Sequence, residues 1–267
     1  MKMKIRLKSV LLLSAFMLII LYLFWGPLFP WNPVKIGYEK IRSGKAIIYI
    51  TSPTEGDSIV YKIDEIIQEE EKFHDLNYTD DFKVVIVNKS SSMKRYLPWL
   101  KGSGYSVSFS PANLIYIGPA ARKSTYGIEP YLKHELSHLL IDQNTTFKKA
   151  LKIHEQGWFA EGIAEYFSGH SFYTKNEFLK LCETSGFRFT SLHEKNPLKM
   201  SLREVRLKYT YYRFFIEYLI ENYGIEKLHQ YLKKYIHDPA GYKNLFPEIY
   251  SADLDAILNK FNSSLRS

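Results

Sequence analysis

Two histidines and a glutamate stand at a spacing that suits the binding of one metal ion. His134, Glu135 and His138 form the pattern His-Glu-x-x-His in a stretch whose leucines recur at helical spacing. Residues four apart leave the same face of a helix, so both imidazoles can reach the same ion. Glu135 lies beside them, where its carboxylate can accept a proton from a water molecule bound to that ion. The pattern therefore predicts hydrolytic metal chemistry.

A catalytic zinc ion has three protein ligands and one open position, so two histidines leave the set incomplete. The positions at which a metzincin carries a glycine and a third histidine hold Ile141 and Asn144 here, which excludes that branch. The stretch Glu161-Gly162-x-Ala164-Glu165 is the natural source of a third ligand, a carboxylate. It lies in a second predicted helix, and the chain between His138 and Glu161 is long enough for a helix–loop–helix return.

The two motifs together resemble the gluzincins, and in particular the peptidase MA-like domains. These pair His-Glu-x-x-His with the pattern Trp-x-x-Glu-Gly-x-Ala-Glu-Tyr, which occupies residues 158–166. The resemblance extends over about residues 46–224. It implies that His134, His138 and Glu161 bind Zn²⁺ and that Glu135 is the general base. It also implies that Glu165 orients a ligand histidine, and helical spacing places Glu165 on the same face as Glu161.

The resemblance implies, in addition, a tyrosine that stabilises the oxyanion of the tetrahedral intermediate. The family pattern is matched here by Tyr209, Phe215, Tyr218, Leu219, Tyr223 and Gly224. Tyr209 is then the candidate for the catalytic role. Tyr211 and Tyr212 are neighbours that could do the same, and packing in the core is the alternative for each of them.

The resemblance implies a zinc metallopeptidase that hydrolyses peptide bonds with a zinc-activated water, with a peptide or protein as the substrate. Two alternatives stay open. One is hydrolysis of a non-peptide amide, and the other is a metal-stabilised, catalytically weak binding or assembly protein of the cell envelope. Glu135 argues against the second, because it is not needed for metal binding. The six other histidines are expected to lie on the surface, and His154 and His170 flank the helix of Glu161.

The elements around the metal helix predict an α+β fold, and the resemblance implies that it is of the zincin-like type. Strands are expected at 46–51, 82–87, 106–108 and 114–117, with helices between them. They should form a small mixed sheet packed on the metal helix and followed by a helical lobe. An extended peptide could pair with an exposed strand near residues 114–117.

The predicted domain covers residues 46–267. Its sheet-containing lobe is expected at about 46–140 and its helical lobe at about 141–267, while residues 32–45 are expected to be a linker. One cysteine, Cys182, excludes both an intramolecular disulfide and a cysteine-based zinc cluster.

The first residues of the chain predict a membrane segment. Basic residues before position 9 precede an uncharged apolar run over 10–25, without an evident small-x-small cleavage site. Residues 1–31 are therefore expected to be an uncleaved signal anchor of a single-pass protein of the cell membrane, with its catalytic domain outside the cytoplasm. A cleaved signal and a secreted protein are the alternative. The basic residues of the start contribute half of the net charge of +8, and no concentrated basic stripe follows, so no nucleic-acid partner is expected.

Overall fold

The computed structural model describes residues 2–32, 34–51, 59–98, 106–185, 192 and 200–266. The chain divides into two compact units. Unit 1 comprises residues 1–64 and 80–131, and unit 2 comprises residues 65–79 and 132–267. The described strands lie in unit 1 and helices build unit 2, so the predicted α+β class with a small mixed sheet and a helical lobe is confirmed. Residues 65–79 group with the C-terminal helices, which the sequence did not predict.

Unit 1 contains a five-stranded mixed sheet. Its strands are β1 (Glu39–Ser43), β2 (Ala46–Ile50), β3 (Phe82–Ile86), β4 (Ser106–Phe109) and β5 (Leu114–Ile117), in the order β1-β2-β3-β5-β4. The three central strands are parallel, and the two outer strands pair antiparallel to their neighbours. Strand β1 lies in the segment that was expected to be a linker. Strand β5 is paired on both sides and so has no exposed edge of its own, and β4 next to it is the outer described strand at that side.

The pleat of the central strands explains the core of unit 1. Tyr49, Val85 and Tyr116 are directly paired across β2, β3 and β5, so their side chains leave the same face of the sheet. They belong to a cluster of buried apolar residues that also contains Phe29, Val87, Met93, Tyr96, Leu97 and Leu114. Burial of such side chains contributes roughly 1.5–3 kcal/mol each, so this cluster is a major source of stability for unit 1.

Twelve α-helices are described. They are α1 (Lys2–Trp25), α2 (Ile59–His74), α3 (Ser90–Tyr96), α4 (Pro119–Arg122), α5 (Glu129–Gln143), α6 (Phe147–Gln156), α7 (Trp158–Phe167), α8 (Lys175–Ser185), α9 (Leu202–Tyr223), α10 (Ile225–His237), α11 (Leu245–Tyr250) and α12 (Leu254–Arg266). The described helices α6 to α12 belong to unit 2, which also receives the C-terminal parts of α2 and α5.

Helix α7 is held deep in unit 2 by its neighbours. Gly157 ends α6 with φ 70°, a conformation that glycine adopts without strain, and α7 starts at once. Trp158 is fully buried among aromatic rings of α7, α9, α10 and the following turn and helix, which include Phe159, Phe215, Tyr231, Tyr242 and Phe246. Helix α9 begins with a capping box formed by Ser201 and Glu204.

The contact between α7 and α9 depends on the absence of a side chain at Gly162. A Cβ atom there would lie 2.9 Å from the Ile216 Cγ1 atom and 3.0 Å from the Tyr212 carbonyl oxygen. The glycine therefore lets the two helices approach closely at the residue that follows Glu161.

Helix α1 is long and apolar enough to cross a membrane between Lys8 and Trp25, and none of that stretch is buried within the described structure. The length and composition are those of a membrane anchor or of an export signal.

Candidate metal centre and active site

Helices α5 and α7 bring the three predicted ligand atoms together. The Nε2 atoms of His134 and His138 lie 3.1 Å apart, and the Glu161 Oε2 atom lies 3.3 Å from the first and 3.4 Å from the second. The two histidines are one turn apart on α5, as the motif requires. These three residues therefore form a candidate metal site.

The spacing of the ligand atoms fits a tetrahedral ion. Zinc–nitrogen and zinc–oxygen bonds of roughly 2.0–2.2 Å in tetrahedral geometry separate any two ligand atoms by about 3.4 Å. The Glu161 Oε2 atom is also buried and has no partner in hydrogen-bonding geometry among the described residues. Buried polar atoms normally have a hydrogen-bond partner, so this environment is the one expected for an atom whose partner is a bound ion.

The charges around the site favour a cation. Burial opposes protonation of His134, yet its contact with Glu161 and the charges of Glu165 and Glu135 raise its pKa to about 9. Burial by itself would raise the pKa of the Glu161 carboxyl, but the two neighbouring imidazoles hold that pKa well below its usual range. Three carboxylates thus create a negative potential at the ligand atoms.

Glu165 lies behind the candidate metal ligand His134. Its Oε1 atom lies 3.4 Å from His134 Nδ1, on the side of the ring opposite the ligand atom Nε2. Its Oε2 atom lies 3.5 Å from His170 Nδ1. Glu165 and His170 are both buried, so the prediction of a surface position for His170 is wrong. A buried carboxylate at Nδ1 fixes the tautomer and the orientation of the ring that would bind the ion.

Tyr209 is the tyrosine of α9 that lies beside the candidate metal ligand His134. Its ring stacks on His134 with centroids 6.3 Å apart. Burial and the neighbouring Glu161 raise its pKa well above the usual range, so its hydroxyl stays protonated and can donate a hydrogen bond. The other two candidates point elsewhere, since Tyr211 donates to Asn262 and Tyr212 donates to the Leu192 carbonyl oxygen.

Glu135 is buried in α5 between the two ligand histidines in sequence. Its charge contributes to the raised pKa values of His134, His154 and Tyr209. Leu132, Leu136, Leu139 and Leu140 are all buried, so the apolar face of α5 anchors the helix as the sequence predicted.

A second histidine–carboxylate pair borders the site. His154 on α6 donates from Nε2 to both oxygens of Asp142, at 2.9 and 3.0 Å. Its ring centroid lies 5.4 Å from that of His138, and about a third of its side chain remains exposed. The sequence indicated His154 only as a residue that flanks the helix of Glu161. Asp142, one turn after His138 on α5, gave no signal on its own.

A buried polar cluster that the sequence did not predict holds α5 against α2. The Ser137 hydroxyl, adjacent to His138, donates to Glu70 Oε1 at 2.6 Å, and His74 Nδ1 lies 3.1 Å from the same oxygen. Glu70 and His74 have no exposed surface, so the prediction of a surface position for His74 is wrong. The Tyr78 hydroxyl adds a bond to the Leu136 carbonyl oxygen at 3.0 Å. These contacts fix the rotation of the metal helix about its own axis.

The ligand set on two helices, with a glutamate next to the first histidine, defines a zincin-like class of site. The model of the Peptidase MA superfamily matches residues 68–267. The chain therefore belongs to the Peptidase MA superfamily, which points to a peptidase-like enzyme. The match begins within α2 and includes the whole of the described candidate site. A search of curated protein sequences gave no significant match.

Proposed function

We propose that the protein is a zinc-dependent metallopeptidase of the gluzincin type, anchored in the membrane by α1 and active outside the cytoplasm. The observation that carries the proposal is the triangle of ligand atoms from His134, His138 and Glu161, with sides of 3.1 to 3.4 Å. Membership in the superfamily supports a peptide or protein as the substrate. The basic residues before α1's apolar stretch support an orientation in which they remain inside the cell.

In the proposed reaction, His134, His138 and Glu161 would hold a zinc ion, and Glu165 would keep the His134 ring in the orientation that presents Nε2. The ion would supply Lewis acidity toward the scissile carbonyl and toward water near neutral pH. Glu135 accepts a proton from the attacking water while the oxygen of that water bonds to the carbonyl carbon. The same carboxyl then delivers that proton to the amine nitrogen as the carbon–nitrogen bond breaks.

Tyr209 has a separate role in the proposed reaction. Its protonated hydroxyl donates a hydrogen bond to the carbonyl oxygen as negative charge develops there. The partly buried position of this phenol favours such a role, because a preformed donor that is shielded from water is worth more than one in bulk water. The stacking of Tyr209 on His134 holds the donor next to the metal ligands.

The proposal predicts that peptide cleavage requires a bound metal ion. The full chain in detergent micelles should cleave members of a peptide library, should lose this activity with a chelator, and should regain it when zinc is returned. The measurement is mass spectrometry of the products together with metal analysis of the protein. A protein that binds one zinc ion and cleaves no peptide would contradict the proposal and favour a binding protein. Cleavage of small non-peptide amides alone would contradict it in favour of a different hydrolase.

A prediction for Glu165 tests whether its contact with His134 orients the ligand. Glu165→Ala should weaken zinc binding by roughly 10–100-fold, the usual cost of losing a carboxylate behind a ligand histidine. Competition with a zinc-binding dye measures the affinity. Glu165→Gln serves as the matched control, because it keeps an acceptor oxygen and should lie between the wild type and the alanine variant. An alanine variant with wild-type zinc affinity would contradict the orienting role.

A further inference from the structure

Exposed apolar side chains are concentrated at the last residue of α1 and directly after it. Five of them occur within a dozen residues, and they are between 37% and 58% exposed: Trp25, Leu28, Trp31, Val34 and Ile36. We refer to these five residues as the collar. Outside α1 and the collar, the similarly exposed large apolar or aromatic residues in the described part of unit 1 are Tyr61 and Tyr126.

The position of the collar indicates what covers it. A single exposed apolar residue needs no explanation, whereas a group of this kind indicates an interaction surface. The collar continues a helix that is long enough to span a bilayer and that is not buried in the protein. Where such a helix leaves the hydrocarbon, the chain enters the headgroup zone, and tryptophan is enriched at that depth. Two of the collar residues are tryptophans.

The collar is fixed to unit 1 by a buried residue in its middle. Phe29 is 1% exposed, and its ring stacks on Tyr96 with centroids 3.9 Å apart. It belongs to the same buried cluster as Tyr49, Val85 and Tyr116 from the sheet. The segment that connects α1 to β1 is therefore part of the core of unit 1.

Hydrogen bonds also join the end of α1 to this segment. The Asn32 side-chain amide donates to the Leu23 carbonyl oxygen at 3.1 Å, which satisfies a carbonyl at the helix end. The buried Lys35 ammonium donates to the Asn32 carbonyl oxygen at 2.7 Å and to the Phe29 carbonyl oxygen. Helix end, collar and core thus form one connected structure within unit 1.

We propose that the collar lies in the interface of a lipid bilayer and holds unit 1 against the membrane surface, with α1 retained as the membrane span. This proposal rests on the membrane anchoring put forward above and is independent of the catalytic activity. It also bears on processing, because cleavage near Trp31 would remove Phe29 from the core and leave a cavity beside Tyr96.

The depth of the two collar tryptophans in a membrane tests the proposal. The full chain is reconstituted in phosphatidylcholine vesicles whose acyl chains carry bromine either near the headgroup or near the chain end. The fluorescence of Trp31 is obtained as the difference between the wild type and Trp31→Phe, and that of Trp25 from Trp25→Phe. We expect bromine near the headgroup to quench Trp31 more strongly than bromine near the chain end, and Trp25 to be at the same depth or deeper.

Two fluorescence results would overturn the proposal. Quenching of Trp31 by acrylamide in the water phase without quenching by bromolipid would place the collar in solvent. Protection from both quenchers would show that a protein surface, such as a second copy of the chain, covers the collar. A separate measurement tests the retained helix, since the mass of the protein extracted from membranes should include α1. A mature chain that begins after Phe29 would overturn that part of the proposal. None of these readouts depends on peptidase activity.

Discussion

Replacing Glu135 with glutamine is expected to lower the peptidase kcat by a factor on the order of 10² or more, with the zinc content unchanged. General-base catalysis commonly supplies roughly 10²–10⁴-fold in rate, and the amide of glutamine cannot accept the proton of the attacking water. The side chain keeps its size, and in the proposed site it is not a metal ligand, so folding and metal binding should persist. The measurements are kcat on the best peptide of the library, metal analysis and the thermal unfolding midpoint.

A second glutamate of the same helix provides the control for this experiment. Glu129 lies at the start of α5, is partly exposed and forms an ion pair with Lys62. Glu129→Gln should leave kcat, zinc content and unfolding close to those of the wild type, since an exposed pair contributes little. If Glu135→Gln cleaves peptide at the wild-type rate, then Glu135 is not the base, and the role proposed for this helix in catalysis fails.

Replacing Glu161 with alanine is expected to remove metal binding and activity together. In the proposed site this residue supplies one of three protein ligands, and the two remaining histidines leave a set that is incomplete for a catalytic zinc ion. The loss of activity should therefore follow the loss of bound zinc and should be partly reversed at high zinc concentration. The measurement is a zinc titration in which binding is detected by calorimetry and kcat is determined at each zinc concentration.

The contrast between the two glutamates makes the experiment decisive. Glu135→Gln should lower activity without changing the metal content, whereas Glu161→Ala should lower both. Glu155→Ala is the matched control for Glu161, because Glu155 lies on the neighbouring helix α6, is largely exposed and pairs with Lys152. Full zinc affinity in Glu161→Ala would mean that another group completes the site.

The local parts of the site were accessible from the sequence. The residues of α5 carry both a motif and an apolar periodicity, which predict the helix found at Glu129–Gln143. Helix α7 contains the whole of the second motif, whose two glutamates lie one turn apart, so a helix could be predicted there. In each case the prediction depends on residues within one or two turns of each other.

The missed features depend on residues that are far apart in the chain. Ser137 and Glu70 are 67 positions apart, and nothing in either local sequence indicates that they form a hydrogen bond. His74 resembles a surface residue in sequence, and its burial follows from the packing of α2 in unit 2. Strand β1 was missed because exposed and half-buried residues alternate in it without a strongly apolar face. Its pairing with β2 is what makes it a strand.

The close approach of α7 and α9 at Gly162 has a consequence for directed evolution. A side chain at this position would collide with the Tyr212 carbonyl oxygen and with Ile216, although alanine is otherwise preferred over glycine within a helix. Tyr209 lies one turn before Tyr212 on α9, so a displacement of α9 would move the proposed donor as well. A library that aims at new substrate preferences should therefore keep glycine at 162. Randomising this position would mix folding defects with changes in specificity and would enrich the screen in clones that carry no information about substrate choice.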